Sequence, residues 1–308
     1  MSDLKSSEPP SRARLVLGLG VAVLAVSSAA LWIRMAHAGP VTISFWRLAW
    51  ASVLLGPVTV PAARDALPTL RRGDLWRLPL AGLCLALHFA LWIASLAPAS
   101  PYATSVAASA SLVALHPVLV ALVGAKVTGQ HVPKSAMVGI ALALVGAAVI
   151  AAGDASGGHH RAVGDLLAVL GAVAGAGYFL LGASLRARVS LRAYMGPVYG
   201  AAAVCLGLMA WLVGERLWVP WREHGLFVAM AVGPMIVGHG LLNWALGYLP
   251  AWAVSAVILA EPFASAVLVF AVLRERPPAA AVLGAATVVL GLVLVLRADA
   301  RRAAGGAA

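Results

Sequence analysis

Long apolar stretches separated by short polar segments run through nearly the whole chain. Most stretches are close to the ~20 residues that a helix needs to cross ~30 Å of hydrocarbon. The chain shows no alternation of apolar and polar residues with a period of two, and lipid leaves no backbone polar group unpaired, so the pattern predicts helices rather than strands. We predict ten spans, at about 15–36, 41–61, 77–97, 102–124, 134–152, 165–185, 191–213, 225–247, 250–272 and 278–297.

The second half of the chain repeats the first with a shift of 145 residues. This shift places the His116-Pro117 step on Glu261-Pro262, and it also aligns Pro133 with Pro278, Gly139 with Gly284, Gly146 with Gly291 and Arg47 with Arg192. Each copy contains five spans, so the second copy enters the membrane from the opposite side. Inverted repeats of this kind are the plan of many secondary transporters, whose binding site lies between the halves near the midplane.

Prolines have two positions in this pattern. Several lie at or near the entrances of spans, where a missing N–H group is tolerated. Pro117 and Pro262 instead lie in the middle of spans four and nine. Because proline breaks the helical hydrogen-bond ladder, we predict that both residues kink their helices.

Composition agrees with a protein that crosses the membrane many times. Hydrophobic residues make up 62% of the chain and charged residues 11%, against roughly a quarter charged in soluble domains. The net charge of +11 lies in short loops and tails, without a basic patch interleaved with aromatics, so we expect no nucleic-acid partner. Cys84 and Cys205 fall inside spans and are expected to be small buried residues rather than a disulfide.

The basic residues predict the orientation of the chain. With a cytoplasmic N-terminus, fifteen Lys and Arg residues lie inside and six outside, which places both termini in the cytoplasm and indicates a multi-pass protein of a bacterial-type inner membrane. The N-terminal charges, the first apolar run and Ala36-His37-Ala38 also resemble a signal peptide. However, that run is about 19 residues long, against the usual 7–15, so we expect it to be retained as span one.

Several motifs occur in order along the chain. Pro40 stands seven residues before Arg47, Gly164-Asp165-Leu166-Leu167-Ala168 leads into a span that contains Gly177-Tyr178, and Glu261-Pro262 is followed by Glu275, Gly284 and Gly291. Together they resemble EamA-type members of the drug/metabolite transporter superfamily. The first half departs from that pattern, because His116 stands in the place of Glu261 and Gln130 in the place of Glu275.

The resemblance implies an all-α integral membrane protein of ten transmembrane helices in two inverted five-helix repeats, and a function in the export of amino acids or related metabolites. We divide the chain into a tail (1–14), a first repeat (15–152), an extracytoplasmic linker (153–164), a second repeat (165–297) and a tail (298–308). We expect a monomer in contact with membrane lipid and a small-molecule substrate. No cofactor is predicted.

Ionisable residues inside spans are costly and are therefore functional candidates. Glu261 is the one acid within a predicted span, ~16 Å deep by helical rise. It is a candidate for proton coupling or for contact with a substrate amine; alternatively, it is a neutral side chain that hydrogen-bonds backbone loosened by Pro262. Arg47 lies only ~9 Å inside its span by helical rise. We therefore expect its head group to reach the outer surface; the alternative is a functional role within the span.

Histidines provide the sharper candidates for a binding site. His88 and His239 lie near the middle of spans three and eight, which are counterparts in the two repeats, and Trp92 and Asn243 each follow four residues later on the same helix face. The alternative is a core histidine bonded to a backbone carbonyl. We predict one substrate cavity, lined by His88, Trp92, Tyr178, His239, Asn243 and Trp244.

Catalytic and metal sites receive little support. Asp154, His159, His160 and Asp165 supply metal-ligand types in an outer loop, but not at a spacing that predicts a tetrahedral site. The chain has no phosphate-binding Gly-Lys-Ser/Thr loop. An integral membrane enzyme that acts on a lipid or a small hydrophobic substrate remains the alternative function. Such an enzyme would place an acid or histidine cluster at one membrane face, whereas the polar candidates here lie near the midplane.

Overall fold

The computed structural model describes residues 10–120, 123, 134–154 and 159–274, together with part of the stretch between 279 and 297. Every regular element in these residues is a helix. Gln130, Pro133, Ser156, Glu275, Pro278 and most of both tails lie outside the described residues.

Nine helices can be delimited in the described part of the chain: α1 (Arg12–Met35), α2 (Pro40–Ala66), α3 (Arg72–Ala94), α4 (Val106–Val120), α5 (Lys134–Asp154), α6 (His159–Arg186), α7 (Leu191–Val213), α8 (Trp221–Ala245) and α9 (Ala251–Leu273). The described positions from 279 to 297 are helical as well. Seven helices, α1 to α3 and α6 to α9, are long and apolar enough to cross a membrane. The predicted class, an all-helical membrane protein, is confirmed.

Local sequence signals fix where several helices begin. Ser11, Ser105 and Ser190 each accept a hydrogen bond from a backbone N–H in the first turn of α1, α4 and α7, which satisfies donors that have no partner within the helix. α2 begins at Pro40, whose missing N–H costs nothing at a helix start. α7 ends at Gly214, which adopts a positive φ of 72°.

Two helices are interrupted at equivalent positions. α4 is α-helical over Val106–Val113, turns at 114–115 and resumes at His116, immediately before Pro117. α9 is α-helical over Ala251–Val257, passes through a 3₁₀ turn at Ile258–Ala260 and resumes at Glu261, immediately before Pro262. Each proline lacks an N–H group and crowds the carbonyl four residues earlier. The interruptions therefore bring His116 and Glu261 to matching places in the two halves.

Helix packing has the symmetry of the repeat. α1 packs against α8 and α9, and its counterpart α6 packs against α3 and α4. α2 packs against its own counterpart α7, and α4 against its own counterpart α9. If each helix is replaced by its counterpart in the other half (α1 by α6, α2 by α7, α3 by α8, α4 by α9, and the reverse), the same set of contacts results. This is expected for two structurally equivalent halves.

Small residues allow the closest contacts between helices. A Cβ atom added to Gly82 on α3 would lie 2.7 Å from the Val198 carbonyl oxygen on α7, and one added to Gly291 would lie 2.7 Å from the Ala143 backbone nitrogen on α5. Both distances are shorter than van der Waals contact. In lipid, this close backbone approach replaces much of the hydrophobic drive that folds a soluble protein.

Candidate functional site

A narrow central cavity lies between the halves, with a volume of about 30 Å³ in this conformation, which is room for about two water molecules. Six apolar residues line it: Val26, Ala29, Val113, Phe179, Leu242 and Ile258. Its polar lining comes from both halves and consists of Arg47, His88, Trp92, His116, His239 and Glu261. Apolar walls with a few convergent polar groups are typical of a site for a small molecule.

Two histidines of the lining are held in one tautomer by backbone carbonyls. His88 Nδ1 lies 2.9 Å from the Gly171 carbonyl oxygen, and His116 Nδ1 lies 3.1 Å from that of Val113. A carbonyl only accepts, so Nδ1 carries the proton, and Nε2 of each neutral ring is an acceptor. Val113 is four residues before Pro117, and proline has no N–H group to donate to its carbonyl. The Val113 carbonyl therefore lacks its usual helical donor and accepts a hydrogen bond from His116 instead.

His239 stands at the end of a π-helical segment of α8, Ala231–His239, which contains Pro234. Its ring packs edge-on against Phe89 at 5.4 Å and Tyr178 at 6.1 Å between centroids. Its Nδ1 has no hydrogen-bond partner among the described residues. π-Helical turns are frequent at functional sites because they redirect a side chain. The structure thus brings His88 and His239 into one cavity, with Trp92 beside His88.

Arg47 does not reach the outer surface, so the expectation from its depth is wrong. Its side chain is fully buried, and its guanidinium carbon lies 3.9 Å from the centre of the Phe89 ring. The aromatic face attracts the cation, and packing between α2 and α3 closes the route to the surface. Arg192, which the repeat aligns with Arg47, is the second residue of α7 and is exposed, so the two arginines are not equivalent in space.

Glu261 lies in the cavity wall with only 7% of its surface exposed. It begins the second α-helical segment of α9, where the helix dipole favours a negative charge. His116 occupies the corresponding place in α4 and also lines the cavity. The two residues that differ between the repeats at the proline step therefore meet at the same site.

Three residues predicted for the site lie outside the cavity wall. The Asn243 amide and the Tyr178 hydroxyl bond each other at 2.7 and 2.9 Å, and both side chains are buried. Trp244 packs against Gly18 of α1 and makes an edge contact with Tyr248. One turn beyond His239, α8 lies close to α6, so the amide of Asn243 is engaged by a protein group rather than presented to the cavity.

A carboxylate joins the halves at each end of the molecule. Asp74 is the third residue of α3, and its Oδ1 lies 2.7 Å from Nη2 of Arg188, in the connection between α6 and α7. Glu223 is the third residue of α8, and its Oε1 lies 3.4 Å from Nδ1 of His37, in the connection between α1 and α2. Each pair joins the start of α3 or α8, which are counterpart helices, to the connection between the first two helices of the other half, so the two pairs lie at opposite faces. We call them the Asp74 latch and the Glu223 latch.

The Glu223 latch has additional support from its neighbours. Glu215, just after α7, accepts hydrogen bonds from the backbone N–H of Val41 and from the N–H and hydroxyl of Thr42, at 2.9 to 3.3 Å. Trp46 donates from Nε1 to the Leu217 carbonyl at 2.8 Å. The start of α2 is thereby capped by the loop that precedes α8, and this face carries more contacts between the halves than a single ion pair.

Metal and disulfide chemistry find no support in the described part of the chain. It contains no group of three or more His, Cys, Asp or Glu side chains placed to hold a metal ion. Cys84 and Cys205 are both unpaired.

Comparisons with known proteins agree with this architecture. The EamA-like transporter family model matches residues 14–152 and 162–297. A solved crystal structure superposes with a TM-score of 0.73, over 92% of this chain and 98% of the other, at 19% sequence identity, a likeness that shows the fold alone. No curated protein sequence matches this chain significantly.

Proposed function

The chain belongs to the EamA-like transporter family, and on that premise we propose that it exports amino acids or related small metabolites by alternating access. The family consists of transporters, so the protein is not an enzyme, and the alternative of a membrane enzyme is set aside. It is a multi-pass integral membrane protein with a small-molecule substrate. We place it in a bacterial-type inner membrane with both termini in the cytoplasm, on the strength of the charge distribution.

The observation that carries the proposal is the central cavity. Its apolar lining suits an aliphatic or aromatic side chain, and its buried nitrogens suit the polar end of an amino acid. Nitrogens of Arg47, Trp92, His116 and His239 have no hydrogen-bond partner among the described residues. Buried polar groups are normally paired, so these four groups lack a partner that a ligand would supply once the halves separate and the cavity widens.

Alternating access is supported by the latches and the interrupted helices. Residues 15–152 and 165–297 would move against each other around the cavity, with Pro117 and Pro262 allowing α4 and α9 to bend. Opening the cavity toward one face separates the halves there and breaks that latch, while the other latch stays closed. Inverted symmetry makes the two states structurally similar and of comparable energy.

Export is tested in liposomes that contain the purified protein and are loaded separately with each of the twenty amino acids. We expect solute-specific efflux at least about tenfold above that of protein-free liposomes, because a shaped cavity distinguishes side chains. Liposomes with heat-denatured protein are the control for leakage. Efflux at the protein-free rate for all twenty amino acids would overturn the proposed substrate class.

The proposed orientation is tested by labelling single cysteines in intact cells after Cys84 and Cys205 have been replaced by alanine. A membrane-impermeant maleimide should label Trp218→Cys, in the exposed connection between α7 and α8, and should not label Thr69→Cys, in the exposed turn after α2. Permeabilising the membrane should make Thr69→Cys reactive, which shows that the site itself is accessible. Labelling of Thr69→Cys alone in intact cells would reverse the orientation.

A further inference from the structure

We infer that Arg47 binds the carboxylate of the transported molecule. The inference rests on the proposed function and adds a substrate anchor that the sequence pattern did not assign. Arg47 is the one charged residue that α2 places in the cavity wall. Its surface is fully buried, so its guanidinium faces only the protein and the cavity.

The Arg47 guanidinium makes no ion pair with a described residue, and the acid whose charge acts on it is Glu261, in the same cavity wall. Nε and Nη1 have no hydrogen-bond partner among the described residues, and no described carboxylate lies within ion-pair distance of the guanidinium. Phe89 covers one face of the guanidinium and leaves the N–H edge available. A buried cation in this position is costly unless an anion joins it, and the planar edge of Arg suits the two oxygens of a carboxylate.

Ring nitrogens from α3 and α8 lie around the same Phe89 ring. Phe89 lies 6.4 Å from the Trp92 ring and 5.4 Å from the His239 ring, between centroids. Trp92 Nε1 can only donate, and both this atom and His239 Nδ1 are unpaired in the described structure. Arg47 and Trp92 therefore offer N–H groups in the cavity wall, with His239 beside them.

Acceptors line the same cavity from α4 and α9. His116 Nε2 is an acceptor in the tautomer that the Val113 carbonyl imposes, and it has no described partner. Glu261 lies in the same cavity at the matching break of α9, and α9 packs against α4. Donors on α2 and α3, with acceptors on α4 and α9, complement a zwitterion whose carboxylate points to Arg47 and whose ammonium points to His116 and Glu261.

The test compares three probes that share one side chain: L-leucine, L-leucinamide, which lacks the carboxylate charge, and 4-methylpentanoate, which lacks the ammonium group. Binding is measured by isothermal titration of purified wild-type protein, Arg47→Met, Arg47→Lys and Arg192→Met. Arg192→Met is the matched control, since it removes an exposed arginine from the other half.

We expect wild type to bind L-leucine about ten- to hundredfold more tightly than L-leucinamide, the range that a hydrogen-bonded charge supplies. Arg47→Met should lose this preference by weakening L-leucine binding alone, with a melting temperature no lower than that of Arg192→Met, because the substitution removes an unpaired buried charge. Arg47→Lys should keep part of the preference, since it retains the charge without the planar fork.

Each other outcome overturns one of the two proposals. Equal binding of L-leucine and L-leucinamide by wild type, or wild-type preference in Arg47→Met, overturns the role of Arg47. Equal weakening of both probes with a lower melting temperature shows that Arg47 only supports the structure. If Arg47→Met does not fold, full wild-type preference in Arg47→Lys rejects the bidentate contact. If no amino acid binds, the proposed function fails, and loss of 4-methylpentanoate binding in Arg47→Met still supports a carboxylate site.

Discussion

Replacing Asp74 with Asn is expected to open the central cavity toward the membrane face where α3 begins, and replacing Glu223 with Gln is expected to open it toward the opposite face. Each substitution removes the carboxylate that joins the halves at one end only. Arg188 is about one-third exposed, so we assign the Asp74 latch about 1 kcal/mol, roughly a fivefold change in the ratio of the two states. The effect at Glu223 should be smaller, because Glu215 still caps α2 there.

The measurement uses Ala29→Cys, a small cavity-lining position, in protein from which Cys84 and Cys205 have been removed. A membrane-impermeant maleimide is supplied to one face of oriented vesicles and then to the other. Asp74→Asn should speed labelling from its own face and slow it from the other, and Glu223→Gln should do the reverse. Asp65→Asn, an exposed acid near the end of α2, is the matched control. Changes of the same sign in both latch variants would contradict the assignment.

Glu261→Gln is expected to remove the pH dependence of transport. The substitution keeps the size and hydrogen bonding of the side chain but cannot gain or lose a proton. Because Glu261 is the one acid in the lining of the central cavity, a carboxylate that carries protons across it must be this one. Where the wild-type transport rate varies over pH 5.5 to 8, the transport rate of Glu261→Gln should vary by less than about twofold over the same range. The reason is that the cavity lining of the variant, within the described residues, contains no carboxylic acid that titrates.

The other charged and titratable groups of the same cavity provide the control. Arg47 faces it from α2, His88 from α3, His116 from α4 and His239 from α8. A histidine also titrates near neutral pH and offers a second route for protons. His116→Gln is the matched variant, since His116 occupies the equivalent break in α4. An unchanged pH profile in Glu261→Gln, together with a flat one in His116→Gln, would assign coupling to the histidine and leave Glu261 a structural role.

The sequence alone determined the helices and much of their symmetry. Crossing hydrocarbon requires long apolar segments with paired backbone groups. Composition and segment length were therefore enough to predict spans that overlap α1 to α9, with ends that differ by up to six residues, as at the start of α6. The proline steps are local as well. A missing N–H disturbs the helix wherever that proline lies, and the sequence therefore pointed to the interruptions before Pro117 and Pro262. His88 and His239 were found because matched positions on counterpart helices approach the same axis.

Only the tertiary structure decided which polar groups face the cavity. Depth along the helix suggested that Arg47 reaches the surface, yet contact with Phe89 of α3 holds it inside. In the sequence, Arg47 is visible only as a single arginine within a span, and the sequence does not reveal which residues pack over it. Asn243 shares a helix face with His239, but the Tyr178 hydroxyl from α6 occupies its amide. The spacing of residues along one helix contains no information about a neighbouring helix.

The two latches show the same division. Asp74, Arg188, His37 and Glu223 were visible as polar loop residues. The count of Lys and Arg in the loops, Arg188 among them, predicted an orientation because positively charged loops follow a simple rule of membrane insertion. Their pairing was not visible, since each pair joins residues more than a hundred positions apart. Local chemistry and the lipid environment determine which segments are helical and where they bend. The packing of one repeat against the other determines which charged residues meet, because residues far apart in the sequence come close only in the folded chain.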